Sequence, residues 1–297
     1  MELVKQWKTC GGLLRRYTHA STATATPMTF SVFTPPARAG APAAPAPVLF
    51  WLSGLTCTDE NFAQKAGAAF HAAAAEGVAL VLPDTSPRGA AAAAVPGAAE
   101  AWDFGIGAGF YVDATAAPWS AHWRMHTYVT EELPALLQAQ LGGELALARC
   151  AIAGHSMGGL GALMCALRRP GQYVSASALA PIAHPSASPR GQKAFSRYLG
   201  EAPGGGASAA WAQHDPTALV ASYAGPPLHL KVTCGAADEF YVGKQLLPED
   251  FVAAAQGAGV PVDFALVEGY DHSFFLCVGG GRGCASPFIA SLSSLPP

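Results

Sequence analysis

Cys150-Ala151-Ile152-Ala153-Gly154-His155-Ser156-Met157-Gly158-Gly159 is the stretch on which the reading of the chain turns. Its first four residues form an apolar run suited to a central strand, and Gly158 to Arg168 reads as a helix. Between the two, a strand must pass directly into a helix. Such a turn holds its central residue, Ser156, at a strained φ/ψ and brings two backbones close together, so positions 154 and 158 have to be small. Both are glycine, and Gly159 extends the clearance. A Gly-x-Ser-x-Gly pentapeptide arises readily by accident; a strand immediately before it and a helix immediately after it are what give it meaning.

The same rhythm repeats outward from this turn. Val48 to Leu52 is a continuous apolar run ending at Ser53-Gly54, as a central parallel strand would be. Phe62 to Ala75 reads as a helix, and Val78 to Leu82, before Pro83-Asp84, as the next strand. A helix at Tyr128 to Gln140 precedes the serine strand. After it come strands at Ala176 to Leu179 and Leu228 to Val232, a helix at Glu249 to Gln256 and an alternating strand at Val262 to Leu266. Thr29 to Phe33 alternates like an early strand, and Pro35 to Pro47 is a Pro/Ala-rich connection expected to be extended and exposed. Strand–helix alternation of this kind predicts an α/β protein with a mostly parallel central sheet flanked by helices on both faces. Joined to the strand–serine–helix turn, it predicts the α/β-hydrolase fold, with residues 1–297 as a single domain.

Composition narrows the function classes. Hydrophobic residues make up 51% and charged residues 12% of the 297 positions, against about 25% charged in an average soluble domain, so a sizeable core is available. The alanine runs Ala72 to Ala75 and Ala90 to Ala94 add little buried area and carry no functional weight. A formal net charge of −3 and the lack of a polybasic cluster argue against nucleic acid or anionic lipid as partners. Met1 to Lys8 lacks the apolar core of a secretory signal, and no run of 18 apolar residues could span a bilayer. Seven cysteines (10, 57, 150, 165, 234, 277 and 284) without a paired pattern suit a reducing compartment. The expectation is therefore a soluble, cytoplasmic protein. Gly204 to Gly206 and Gly279 to Gly283 do not follow a strand in a dinucleotide-binding pattern, so no cofactor is expected.

A serine hydroxyl is a weak nucleophile until a base takes its proton, and that base needs a carboxylate to orient it. In this fold the order along the chain is serine, acid, histidine. Of the histidines after Ser156, His229 falls inside a strand expected to be buried and His214 in a polar segment, both structural settings. His272, in Gly269-Tyr270-Asp271-His272-Ser273, follows the final strand on a loop, where the base belongs. Asp238 comes just past the strand that ends at Thr233, at the carboxyl edge where this fold collects its site residues. Glu239 is its alternative, and Asp271 reads as a loop brace. The oxyanion of an acyl-transfer intermediate needs two backbone N–H donors, one following the nucleophile and one from the loop after the fold's third strand; these are Met157 and Leu55. His122 and His126 stand four apart, a spacing metal sites use, but without a third ligand they read as helix surface or core, and no metal is expected.

At this point the chain resembles the S-formylglutathione hydrolase (esterase D) family. The matching stretches include Leu52 to Phe62 (LSGLTCTDENF), Pro83 to Gly89 (PDTSPRG), Asp103-Phe104-Gly105, Gly107 to Thr115, Tyr128 to Pro134, Gly154 to Gly159, Lys193 to Ser196, Gln245 to Pro248 and Gly269 to Phe274. They extend from about Gly11 to Phe275. The resemblance implies the triad Ser156, Asp238 and His272, the oxyanion donors Leu55 and Met157, a small-molecule thioester substrate and a homodimer. It also implies a thiol near the nucleophile at Cys57 that is sensitive to thiol reagents without being a nucleophile. Three positions depart from the family's pattern: Ile106 stands for a usual Thr, His184 for a usual Asn and Arg190 for a usual Trp. Glycines 279–283 interrupt the C-terminal helix. A broad carboxylesterase or thioesterase, or a binding protein with an idle triad, are the rival expectations.

Overall fold

The computed structural model of the protein describes residues 1–37, 44–201 and 208–279. Nine strands form one sheet: β1 (Glu2–Thr9), β2 (Gly12–Ala20), β3 (Pro27–Thr34), β4 (Ala46–Leu52), β5 (Ala79–Pro83), β6 (Leu145–His155), β7 (Tyr173–Leu179), β8 (His229–Gly235) and β9 (Val262–Val267). Their order is β1-β2-β3-β5-β4-β6-β7-β8-β9. β1, β2, β3 and β5 pair antiparallel, while β5, β4, β6, β7, β8 and β9 are parallel throughout. This is the α/β-hydrolase arrangement that the alternation of elements predicts.

β4 shows why the central strands are apolar on both sides. Successive side chains on a strand point to opposite faces. Val48, Phe50 and Leu52 therefore enter one core with Val81 and Ile152, whereas Leu49 and Trp51 enter the other with Leu80, Leu82, Phe62 and Phe70. Each such side chain, fully buried, contributes on the order of 1.5–3 kcal/mol. The helix Met157–Arg168 is buried at every position from Met157 to Leu167, as expected for a helix with no polar face.

Several expectations are corrected. β1 and β2 were not visible in the sequence; β1 is exposed along most of its length and so lacks the alternation that marks a half-buried strand. The helix expected at Phe62 to Ala75 is two, Asn61–Lys65 and Gly67–Glu76, broken at Ala66 (φ −112°, ψ 45°). The helix expected at Tyr128 to Gln140 is a continuous helical path of three pieces: Met125–Thr127, a π-helical segment Tyr128–Glu132 and Leu133–Leu141. Pro134 explains the irregularity, since it has no N–H to give to the carbonyl of Thr130. The Leu133 N–H instead reaches back five residues to Tyr128 O, and the side-chain amide of Gln172 donates to Thr130 O at 2.8 Å. His229 is exposed at the start of β8 rather than buried inside it. His122 is not on a helix with His126: it follows the 3₁₀ turn Trp119–Ala121, with its Nδ1 2.9 Å from Thr24 O. The final helix is Phe274–Gly279, and residues 280–283 of the glycine-rich run lie outside the described residues. Of the Pro/Ala-rich connection, residues 38–43 also lie outside them, and its last two residues begin β4. Among the described residues no helix is long and apolar enough to cross a membrane.

Two histidines away from the serine are held neutral by the fold. His126 and His214 are buried beside Arg168, and burial, with the guanidinium adding to it, pushes each imidazole down to about 3. Arg168 Nη1 lies 3.2 Å from His214 Nδ1, a contact in which the guanidinium donates to a neutral ring. Unfolding exposes both rings, which then take up a proton below about pH 6.5, whereas the folded protein takes up neither until about pH 3. Stability is thus unaffected by these groups above about pH 6.5 and falls as the pH drops through that window. These two rings contribute about 2.7 kcal/mol per pH unit to the slope. In urea unfolding measured between pH 6 and 4, His214→Gln should lower the slope by about 1.4 kcal/mol per pH unit; a variant with an unchanged slope would contradict the assignment.

Candidate active site

The structure brings the three sequence-predicted residues together at the carboxyl ends of β6, β8 and β9. Ser156 follows β6 directly and caps the helix Met157–Arg168 at φ 60°, ψ −121°, a left-handed conformation that a non-glycine residue adopts only under constraint. The constraint is steric. A Cβ at position 154 would lie 2.1 Å from Gly158 O, and one at 158 would lie 1.9 Å from Leu52 O, so neither position admits a side chain. The elbow is clamped further by hydrogen bonds from Ser156 N to Leu179 O (2.8 Å) and from Ile182 N to Ser156 O (3.3 Å).

His272 Nε2 is 2.9 Å from Ser156 Oγ, and its Nδ1 is 2.5 Å from Asp238 Oδ2. Asp238 is fully buried and uses its other oxygen as the cap of the short helix Glu239–Val242, accepting from Phe240 N (2.7 Å) and Tyr241 N (3.3 Å). A capping carboxylate cannot rotate without losing those bonds, so Asp238 offers His272 a fixed acceptor. Glu239, the alternative acid, faces solvent. Asp271 accepts from Ser273 N at 3.0 Å and braces the loop, as expected.

Aromatic rings position His272 from two sides. Phe240 meets it edge-on at 4.5 Å between centroids, and His155 lies 4.6 Å away with Phe274 behind it at 5.4 Å. Burial, with His272 adding to it, pushes His155 down to about 3, so at neutral pH it sets no second positive charge against a protonated His272. The sequence singled out neither ring. His155 occupies a variable position of the pentapeptide, and Phe240 follows the acid by two residues, which was the one available signal.

The loop after β4 faces the nucleophile. Gly54 sits so close that a Cβ there would be 3.1 Å from Ser156 Cβ. Leu55 lines the same cavity, and Met157, the first residue of its helix, carries an N–H with no acceptor one turn back. Neighbouring groups fix this loop. Tyr111 OH donates to Ser53 O (2.8 Å), Thr56 N to Gly107 O (2.8 Å), and Thr85 Oγ1 and Arg88 Nη2 both donate to Cys57 O (2.5 and 2.9 Å). Arg88 is held in turn by Asp84 at 2.8 Å. Asp59, buried one turn on, receives both Nε and Nη2 of Arg16 (2.8 and 2.9 Å) and Ser31 Oγ (2.8 Å). The conspicuous stretches at 52–62 and 83–89 are therefore mutual supports. Cys57 lies in the cavity wall, and burial raises its thiol above the ordinary range, which keeps it protonated at neutral pH.

A cavity of about 520 Å³ opens over Ser156. Of the three departures from the family pattern, Arg190 lines it, whereas Ile106 packs against the core and His184 turns its Nδ1 to Asp250 Oδ2 at 2.7 Å.

A family model described as Esterase matches residues 21–294. The S-formylglutathione hydrolase of Rattus norvegicus is 46% identical over 268 residues, covering 90% of each chain. That of Bos taurus is 45% identical over 276 residues, covering 93% of each. The solved S-formylglutathione hydrolase of Agrobacterium tumefaciens superposes with a TM-score of 0.84 at 37% identity, covering 98% of this chain and 96% of that one. A fluorophosphonate-binding serine hydrolase of Staphylococcus aureus, at 17% identity and a TM-score of 0.67, shares the fold. With identity sustained over nine-tenths of its length, the chain belongs to the S-formylglutathione hydrolase family of esterases.

Proposed function

We propose that the protein hydrolyses S-formylglutathione to glutathione and formate, with Ser156 as nucleophile, His272 as base, Asp238 as orienting acid and the Leu55 and Met157 N–H groups as oxyanion donors. The observation that carries this reading is the continuous line Ser156 Oγ–His272 Nε2–His272 Nδ1–Asp238 Oδ2, at 2.9 and 2.5 Å, beneath an open cavity. The triad chemistry follows from that line. His272 Nε2 takes the Ser156 proton as Oγ attacks the formyl carbon, and Asp238 holds the imidazole in the tautomer that presents a bare Nε2 and stabilises the cation that forms. The tetrahedral oxyanion turns toward the Leu55 and Met157 amides. When it collapses, the C–S bond breaks and glutathione leaves as a thiolate that takes up the His272 proton. A formyl-serine remains. Water then gives a proton to His272 and its oxygen to the formyl carbon, and formate departs as the proton returns to Ser156.

Residues 1–297 act in this reading as one domain. A cytoplasmic location is supported by the free thiols of Cys10, Cys57, Cys150, Cys165 and Cys234, and a homodimer is the assembly the family resemblance implies.

Ser156→Ala should lower kcat for S-formylglutathione on the order of 10⁶-fold and abolish labelling by a fluorophosphonate probe. Labelling that persists in this variant would remove Ser156 from the mechanism. Asp238→Asn, which keeps the shape but presents a donor to Nδ1, should lower kcat about 10⁴-fold. Wild-type kcat/KM that strongly favours p-nitrophenyl acetate over S-formylglutathione would replace the thioesterase reading with a general carboxylesterase.

A further inference from the structure

The cavity over Ser156 carries one cation on each side of the histidine, each seated on an aromatic ring. On one side the Arg190 guanidinium lies 4.5 Å from the Phe240 ring centroid and 4.9 Å from that of Trp102, so that it is placed against two rings; Phe240 itself packs edge-on against His272 at 4.5 Å. On the other side Lys65 Nζ lies 5.4 Å from the centroid of Phe274, which packs on His155, which packs on His272. Both cations line the cavity. Backbone position is also set: Arg190 is the second residue of the helix Pro189–Leu199, and its N–H donates to Gln245 Oε1 at 3.2 Å, Gln245 being another cavity residue.

Among the described residues neither cation is paired with a carboxylate, whereas Arg15, Arg16, Arg88, Arg169, Lys193 and Lys231 each are. A cation held over aromatic faces is stabilised without being discharged, and its N–H groups stay available to an incoming anion. Two such groups flanking a nucleophile suit a substrate with its reactive atom in the middle and a carboxylate at either end.

We infer that Arg190 and Lys65 are the specificity-determining pair that binds the two terminal carboxylates of a glutathione thioester, one on each side of the acyl group over Ser156. The inference rests on the thioesterase reading above and adds the recognition of the leaving group.

The test compares S-formylglutathione with the same thioester carrying both carboxylates as methyl esters. The wild type should prefer the free acid, and raising the salt concentration should erode the preference because the contacts lie at an open cavity. Arg190→Gln and Lys65→Gln should each lower the free-acid to diester ratio of kcat/KM about tenfold, through KM, while Arg190→Lys, which keeps a point charge but loses the planar fork, should recover part of it. Because both substrates share the acyl transfer, the ratio removes any general damage that a substitution does to folding or to the triad. A wild type that prefers the free acid, with a ratio that neither substitution alters, would overturn the assignment of these two residues and leave the thioesterase reading intact. A wild type that hydrolyses both thioesters equally would overturn carboxylate recognition alone. A wild type that hydrolyses neither, yet cleaves p-nitrophenyl acetate, would overturn the thioesterase reading and this inference with it.

Discussion

The approach of the Gly158 backbone to the carbonyl of Leu52 is the constraint around which the site is arranged. At that separation no side chain fits at 158, and the same crowding excludes one at 154. Two neighbouring parallel strands, β4 and β6, can then end side by side, one in the serine and the other in the loop of Gly54 and Leu55. Had the backbones been held a side chain further apart, the loop of Gly54 and Leu55 would have no path to Ser156. Asp238 and His272 reach the same point from the ends of β8 and β9, so all three side chains come from the carboxyl edge of a parallel strand, where loops can vary without disturbing the sheet.

Around this geometry the protein controls charge with burial. Asp238, the carboxylate that meets His272, is fully buried and fixed by two backbone amides. The histidine beside the base is kept neutral by the same means and acts as a flat wall. Cys57, close enough to compete, is held as a thiol. In the proposed mechanism the cavity thus presents one activated nucleophile, Ser156, although Cys57 and His155, which could in other surroundings react with an acyl carbon, also line it.

What the sequence revealed and what it hid divide along a physical line. Ser156, Asp238 and His272 were legible because each follows a strand at the edge where the chain must turn, and their order is fixed by the direction in which the sheet is wound. The central strands were legible because burial on both faces leaves an unbroken apolar run, as in Val48 to Leu52. β1 was hidden: Glu2, Lys5 and Lys8 alternate with nothing, and the strand exists because β2 offers a partner rather than because its own pattern demands it. The π-helical segment before Pro134 was hidden as well, since the donor that makes it tolerable comes from Gln172, thirty-eight residues further along the chain. Likewise Arg190 was visible as a departure, but its two aromatic supports are remote in sequence and only the fold unites them.

The bidentate contact of Arg16 with Asp59 joins the outer antiparallel strands to the loop that carries Leu55. Asp59 is buried, and without the guanidinium its charge would be left uncompensated in the interior. The amino-terminal hairpin is therefore a structural condition for turnover rather than an ornament on the sheet's margin. Because that hairpin is made of residues far from the nucleophile along the chain, hydrolysis by a molecule certifies that its distant ends have been assembled correctly, and a catalytic assay reads out long-range folding as directly as it reads out chemistry.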